Sequence, residues 1–456
     1  MSQTATTTEA LTYELLREAV AGAAALRART RLQPAGGPGT KVFPPTYAGA
    51  VYAVEQRRLP GRDEPVTCVL LDSVQSQANR MEAALQDAVD GVLGEELSVR
   101  IPVIEVDFSD YGPDSNADEK LRLIDSIERV TSLQAPHRVA DAILRDSVYR
   151  HNGQVQPFRK SKIGEVIDRA HLRNATPLYE LCPTALVFGM WDSTGPKGGL
   201  GVKFERAMTS EIVGVDASLG TKTSSRIDPL GIALNAGPIY LAADGDGIEW
   251  TTDPEAAEKD KKGNPVLFNR GGAAGKPGNP SKANHGNITP SLSDVDRESK
   301  EYLAGGVTIE YAEQTTLLSL AALRRLRFPP EGKSWQASKQ QRERDRAAQT
   351  VLAALALCAA ELAAADMDLR SRCLLWPEQS RQWELLDKPG EEPARHTLGA
   401  EAAVALLREA VEAARKAGVT WQEESIRLMP SEQLVKLVRK SQEQAATEGA
   451  EEGGEG

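Results

Sequence analysis

An α+β fold of the β-α-β-β-α-β kind is predicted by three features of the sequence. Two stretches pass from an apolar strand pattern into a helical one without a loop. Further strand-like segments lie between and after them. Gly/Pro-rich insertions are left over to hang from that core.

The chain opens with a predicted amphipathic helix over 11–27, with Leu15, Leu16, Ala23 and Leu26 available for one face. "RLQPAGGPGTKVFPPTY" (31–47) is a Gly/Pro loop carrying Arg31, Gln33, Lys41, Phe43 and Tyr47. Its prolines and glycines forbid helix and most strand pairing, and leave backbone N–H groups free to face an anion. The first junction, "CVLLDSVQSQANRMEAAL" (68–85), follows. Val66 to Leu71 is the strand, Asp72 or Ser73 the cap, and Val74, Ala78, Met81, Leu85 and Val89 the buried stripe. Gln75, Ser76, Asn79 and Arg80 are then left off the core face, near the helix N-terminus.

Val99 to Phe108 alternates like a strand, and 120–150 reads as helical pieces broken at Pro136. A basic stretch runs from Arg159, Lys160 and Lys162 to Arg169 and Arg173. "TALVFGMW" (184–191) is a strand candidate leading into a glycine-rich loop with Lys197, Lys203 and Arg206. Residues 217–230 form a polar loop with Lys222 and Arg226. From 241 to 300 the composition turns to Gly, Pro, Asn, Asp and Lys, which predicts a mobile insertion instead of a packed domain.

The second junction is "GGVTIEYAEQTTLLSLAALRRLRFPP" (305–330). A strand with Val307, Ile309 and Tyr311 precedes a helix predicted to start near Thr315, with Arg324, Arg325 and Arg327 in its last turn. The remainder is helical apart from a strand near Leu369 to Trp376, and the tail after Ser441 reads as disordered. Domain boundaries follow: a helix over 1–30, the core over 31–376 with its 241–300 insertion, a helical region over 377–440 and an acidic tail over 441–456.

The chain of 456 residues is long enough for a large core. Its N-terminus lacks the basic and apolar runs of a secretory signal. The greasiest segment, 350–360, is about half the length a bilayer requires and reads as a buried helix, so no membrane partner is expected. Four cysteines without a C-x-x-C and five histidines without ligand spacing predict no metal, no disulfide framework and a reducing cytoplasm. The net charge of −11 counts against a nucleic-acid partner, but the terminal tail carries much of it and local patches matter more than the sum.

Enzyme motifs fail. "GGPGTK" and "GPKGGLGVK" lack P-loop spacing, and "DGDGIE" (244–249) has Ile248 and Glu249 where a calcium loop needs a ligand and a glycine. No G-x-S-x-G or H-E-x-x-H occurs, and an acid pair such as Asp72 with Glu82 is ordinary in a helix. The loop 31–47, the 68–80 junction and the loop 195–206 each combine free backbone, a helix start or cations, the parts that hold a phosphodiester chain. Phe43 and Tyr47 are candidates for base stacking. Taken singly, each loop reads as a solvated turn and the two aromatics as core packing; only their joint occurrence points to nucleic acid.

The wording of the segments carries more than their composition. "LQPAGGPGTKVFPPTY", "VLLDSVQSQANRMEAAL", "SEIVG", "SSRIDPLGI", "NHGNITPS" and "GGVTIEYAEQTTLLSLAALRRLRFP" together resemble the backbone subunit of the type I-U (I-G) CRISPR effector, a RAMP-superfamily protein of the Cas-seven type. The resemblance runs from about Arg31 to Pro330. It implies an RRM-like (ferredoxin-like) palm with finger- and thumb-type insertions and a helical C-terminal part. It also implies a non-enzymatic role without cofactor. Copies would stack as a helical filament along one CRISPR RNA, grip the spacer backbone and present its bases to target DNA beside other Cascade subunits and a helicase–nuclease.

On that footing Gln75, Ser76, Asn79 and Arg80 are expected to bind phosphate and ribose. Arg31, Gln33, Lys41, Lys203, Arg206, Lys222 and Arg226 join them, with 241–300 as thumb or DNA-facing loop. A ribonuclease using Asp216, Asp244 or Asp246 to cut guide-bound RNA is the alternative, and a structural self-assembling protein the third reading.

Overall fold

A computed structural model describes residues 9–49, 51–194, 201–233, 235–243, 248–270, 275–293 and 305–451. The chain divides into two compact units. Met1–Asp110, Ile127–Leu219 and Gly306–Leu434 form the first; Tyr111–Ser126, Gly220–Gly305 and Val435–Gly456 form the second. The fold is α+β.

The first unit is organised by a mostly antiparallel sheet. Its strands run in the order Glu9–Ala10, Ala394–Thr397, Trp383–Leu386, Ala25–Pro34, Tyr311–Ser319, Met208–Val215, Val66–Asp72, Val54–Arg57, and Leu375–Pro377 also pairs with Ala25–Pro34. Period-two patterning explains the central pair. Leu26, Ala28 and Leu32 are buried beside Ala312, Thr316 and Leu318, while Arg27, Arg29 and Arg31 alternate outward with Tyr311, Glu313 and Leu317. The helices Val74–Val89 and Lys339–Ala365 lie on this sheet, the first on Met208–Val215 and the second on Tyr311–Ser319.

Lys339–Ala365 is apolar all round from Val351 to Ala360 because the helices Tyr13–Gly22, Val74–Val89 and Ala400–Lys416 also pack on it. By length and composition it could cross a membrane, but 83% of its apolar window is buried inside the protein. A polar layer lies under the sheet: Gln314 and Ser210 both donate to Gln77 Oε1, at 2.8 and 2.9 Å, and Arg381 donates to Gln314. Each of these buried groups therefore has a partner, as burial demands.

A second sheet in the same unit runs Gln154–Pro157, Ser147–His151, Ile426–Pro430, Ile104–Asp107, Arg129–Thr131. In the other unit, Lys222–Arg226 pairs with Ile288–Ser293 and Tyr240–Leu241 with Trp250–Thr251.

Several sequence expectations are corrected. The first helix ends at Gly22 and a strand begins at Ala25, because the alternation of Leu26, Ala28 and Leu32 with three arginines outlasts the alanine-rich helix. Arg31 and Gln33 consequently sit on a strand, not in the Gly/Pro loop. "TALVFGMW" is a helical turn, Thr184–Val187, then the short strand Met190–Trp191; with 184–190 all buried there is no periodicity to read. Val99–Phe108 narrows to the strand Ile104–Asp107, and 120–150 holds strands as well as short helices.

The second junction stays a strand through Ser319, since Thr315 and Thr316 suit a pleated surface, and the helix is only Leu320–Leu323. The tail is helical to Glu451. Within 241–300 most of the described residues between Ile248 and Arg270 are exposed, Ala257 and Phe268 being buried exceptions. Asp244, Asp246 and Lys197 lie outside the described residues.

Candidate nucleic-acid interface

The Val74–Val89 helix follows its strand directly because Ser73 caps it, its hydroxyl accepting from the Ser76 N–H at 3.2 Å. Asp72 is thereby free of capping duty and fully buried. Its carboxylate collects the Ser76 hydroxyl at 2.8 Å, the Gln77 amide at 2.6 Å, and Arg80 and Arg370 at 3.0 Å each. The other two guanidinium nitrogens of Arg80 donate to the Asp368 and Leu369 carbonyls. Ser76 and Arg80 thus face an internal ion cluster. A buried carboxylate requires such partners, since unpaired it would cost several kcal/mol, about 3–5.

Gln75 and Asn79 leave the same helix on the opposite flank, and both are exposed. They line a cleft of about 400 Å³ with His137, Arg138, Gly189, Trp191, Lys203 and Arg206. Its far wall is a two-stranded ladder in which Met190 pairs with Phe204 and Trp191 with Lys203. Met190 and Phe204 point into the core, so Trp191 and Lys203 face outward, with Lys203 Nζ 6.0 Å from the indole centroid.

The floor is built on Glu82 and Arg138. Arg138 has a left-handed backbone, φ 55°, uncommon for a side chain of its kind. It is held there by a bidentate pair with Glu82 at 2.7 and 2.6 Å and by donation to the Gly189 carbonyl at 3.0 Å. Burial pushes the Glu82 carboxyl up to about 7 despite that arginine. Gly189 has φ +85°, and a Cβ there would stand 2.9 Å from Arg206 Cγ, so glycine is needed for Arg206 to lie over it.

Arg206 Nε donates to the Phe188 carbonyl at 3.1 Å. Among the described residues neither Arg206 nor Lys203 has a carboxylate within ion-pair distance, Glu82 being taken by Arg138. Burial, reinforced by the charge of Arg138, pulls the Arg206 guanidinium below its usual range. An anion placed against it would relieve both effects.

None of the other candidate residues is among those that line this cleft. Arg31 stacks 3.9 Å over the Tyr311 ring and pairs with Glu378 at 3.3 Å. Gln33 donates to Glu378 and to the Glu310 carbonyl. With Arg27–Glu384, Arg29–Glu313 and Arg57–Glu211 these contacts make the outer sheet face a ladder of compensated charge. Lys41 is half-buried, Phe43 lies under the Arg372 guanidinium at 3.9 Å, and Tyr47 is exposed on the short strand Thr46–Tyr47. Lys222 and Arg226 belong to a strand of the second unit. Asp216 is exposed with φ 52°, and no group of three or more His, Cys, Asp or Glu that would hold a metal occurs among the described residues.

Four of the sequence candidates, Gln75, Asn79, Lys203 and Arg206, therefore converge in one place. Trp191, His137 and Arg138 are additions that sequence reasoning missed. Reading 184–191 as one strand hid Trp191, although Gly189 just before it marks the break. Residues 26–219 match the model of the family described as CRISPR-associated protein GSU0053, a span containing every residue that lines the cleft. No curated protein matches the chain.

Proposed function

We propose that this chain, whose residues 26–219 match the family model of CRISPR-associated protein GSU0053, is a guide-RNA-binding backbone subunit of a type I Cascade effector. In this reading the 74–89 helix, the 188–191 segment and the 203–206 segment hold the sugar–phosphate chain of a CRISPR RNA. Lys203 and Arg206 take phosphates, and Gln75 and Asn79 take phosphate or ribose oxygens. Copies repeat along the spacer as a helical filament and leave bases free to pair with a target DNA strand. Other Cascade subunits and a helicase–nuclease complete the assembly. The protein itself catalyses nothing, needs no cofactor and works in the cytoplasm.

The observation that carries the reading is the convergence, inside the family-matched span, of two exposed amides with two cations that have no carboxylate partner among the described residues. The strand order supports an RRM-like palm of the RAMP kind. With Ala25–Pro34, Met208–Val215, Tyr311–Ser319 and Trp383–Leu386 taken as strands one to four, the order across the sheet is 4-1-3-2, and helices 74–89 and 339–365 fill the two helical places. Net acidity suits a subunit whose hold on RNA comes from many adjacent copies.

The test is purification of the protein co-expressed with its CRISPR array. The expected preparation has a nucleic-acid-rich 260 to 280 nm ratio and yields guide RNA, and Lys203→Ala/Arg206→Ala loses it for every spacer alike. A protein-like ratio with no extractable guide would instead favour a self-assembling structural protein. Metal-dependent cleavage of a guide-bound complement would favour a ribonuclease.

A further inference from the structure

We infer that Trp191 is a stacking platform for an unpaired nucleobase at the mouth of the cleft, a role for which the sequence suggested Phe43 and Tyr47. The inference rests on the nucleic-acid reading above and adds the part of the ligand that the cations and amides do not address.

Trp191 leaves 56% of its surface exposed. An indole is a costly side chain to keep in water, so an occupant that covered it would gain free energy. The backbone is fixed. Trp191 pairs with Lys203, and the next residue, Asp192, is buried, donating its N–H to the Val202 carbonyl at 2.9 Å. The Asp192 carboxylate is clamped by Arg159 at 2.8 Å, and Arg159 also binds Asp168. With the backbone fixed, only the two torsions of the indole remain to be ordered when a ring settles on it.

The surroundings select the occupant. Lys203, Arg206, Gln75 and Asn79 share the cleft with the indole. An apolar protein surface laid over Trp191 would have to desolvate two cations without pairing them, which is costly. A nucleotide offers a π face to the indole and a phosphate to the cations at the same time. Trp376 makes the contrast. It is 70% exposed, yet it lies opposite Gln33 on a face where Arg31 and Gln33 are already tied to Glu378. Phe43 has its ring covered by Arg372.

The experiment titrates the full-length chain, and its Trp191→Ala and Trp191→Phe variants, with a short single-stranded RNA of mixed sequence. The same strand with abasic sugars and the same strand in a duplex serve as controls, read by anisotropy and by tryptophan fluorescence. Trp191→Ala is expected to weaken single-strand binding on the order of tenfold. Trp191→Phe should retain affinity within about threefold while abolishing most of the fluorescence quench. The difference between wild type and Trp191→Ala should vanish on abasic RNA and shrink on the duplex.

Equal binding of single-stranded RNA by wild type and Trp191→Ala overturns the stacking role and leaves the RNA-binding reading intact. Failure of the wild type to bind even a spacer-length single strand that several copies can occupy overturns both. Quenching that follows protein concentration without RNA, and is lost with Trp191→Phe, also overturns it, since a second copy then covers the indole.

Discussion

The two flanks of the Val74–Val89 helix start from the same kinds of residue and arrive at different chemistry. On one flank Ser76, Gln77 and Arg80 turn toward Asp72 and are used up inside the subunit. On the other, Gln75 and Asn79 stay exposed and face Lys203, Arg206 and Trp191 across a cleft. The difference is not in the side chains but in what stands opposite. A buried carboxylate recruits every donor within reach, whereas cations with no carboxylate in ion-pair reach among the described residues leave their donors available. An arginine near a helix N-terminus is therefore weak grounds for an RNA contact until its carboxylates have been located.

The comparison can be broken first at Asp72. Asp72→Asn removes the charge that Arg80 and Arg370 were buried to meet, and should cost about 3–5 kcal/mol in denaturant unfolding. A loss below about 1 kcal/mol would mean that the cluster is not holding the strand and helix together. On the opposite flank, Lys203→Ala/Arg206→Ala should leave the unfolding midpoint nearly unchanged and weaken RNA binding on the order of a hundredfold, two charge-assisted contacts being lost. The slope of log affinity against log salt should flatten by about 0.7 for each phosphate contact removed. An unchanged slope would place the phosphates elsewhere.

Arg80→Ala sharpens the contrast further. It should destabilise the fold by about 1–2 kcal/mol, since Arg370, Gln77 and Ser76 remain on Asp72, with the RNA affinity of the folded protein preserved. A uniform loss of RNA affinity at full stability would instead return Arg80 to the interface.

A pH-dependent effect concerns the cleft floor. Glu82 titrates near 7 in the folded protein against an ordinary value of 4.5. Between those values the folded state holds the proton that the unfolded chain has released, so this group's stabilising contribution falls as pH rises from about 4.5 to about 7. Wild type should therefore lose stability relative to Glu82→Gln across that window. Parallel pH profiles for the two proteins would contradict the raised value.

Much of this arrangement was legible in the sequence, and the parts that were not have physical causes. The Val66–Asp72 strand, the helix behind it and the buried core helix around 350–360 are periodic or strongly apolar, and periodicity survives folding. The end of the first helix and the long strand through Thr315 were hidden, since pairing with distant strands overrode local preference. Lys203 and Arg206 were visible as cations in a loop. Their lack of carboxylate partners among the described residues was not, because Glu82 lies more than a hundred residues away and is taken by Arg138. Arg31 and Gln33 looked equally available, and their ties to Glu378 cross an even longer stretch of chain. Net charge misled in the same way: it counts acids without saying which cations they occupy.

The most direct test of the central claim is a density map of the chain loaded with its guide RNA. The account predicts phosphate oxygens within hydrogen-bond reach of Lys203 and Arg206, a ribose or phosphate beside Asn79, and Arg80 still on Asp72. An RNA path along the compensated face of Arg27, Arg29 and Arg31, or Arg80 released from Asp72 onto a phosphate, would contradict it.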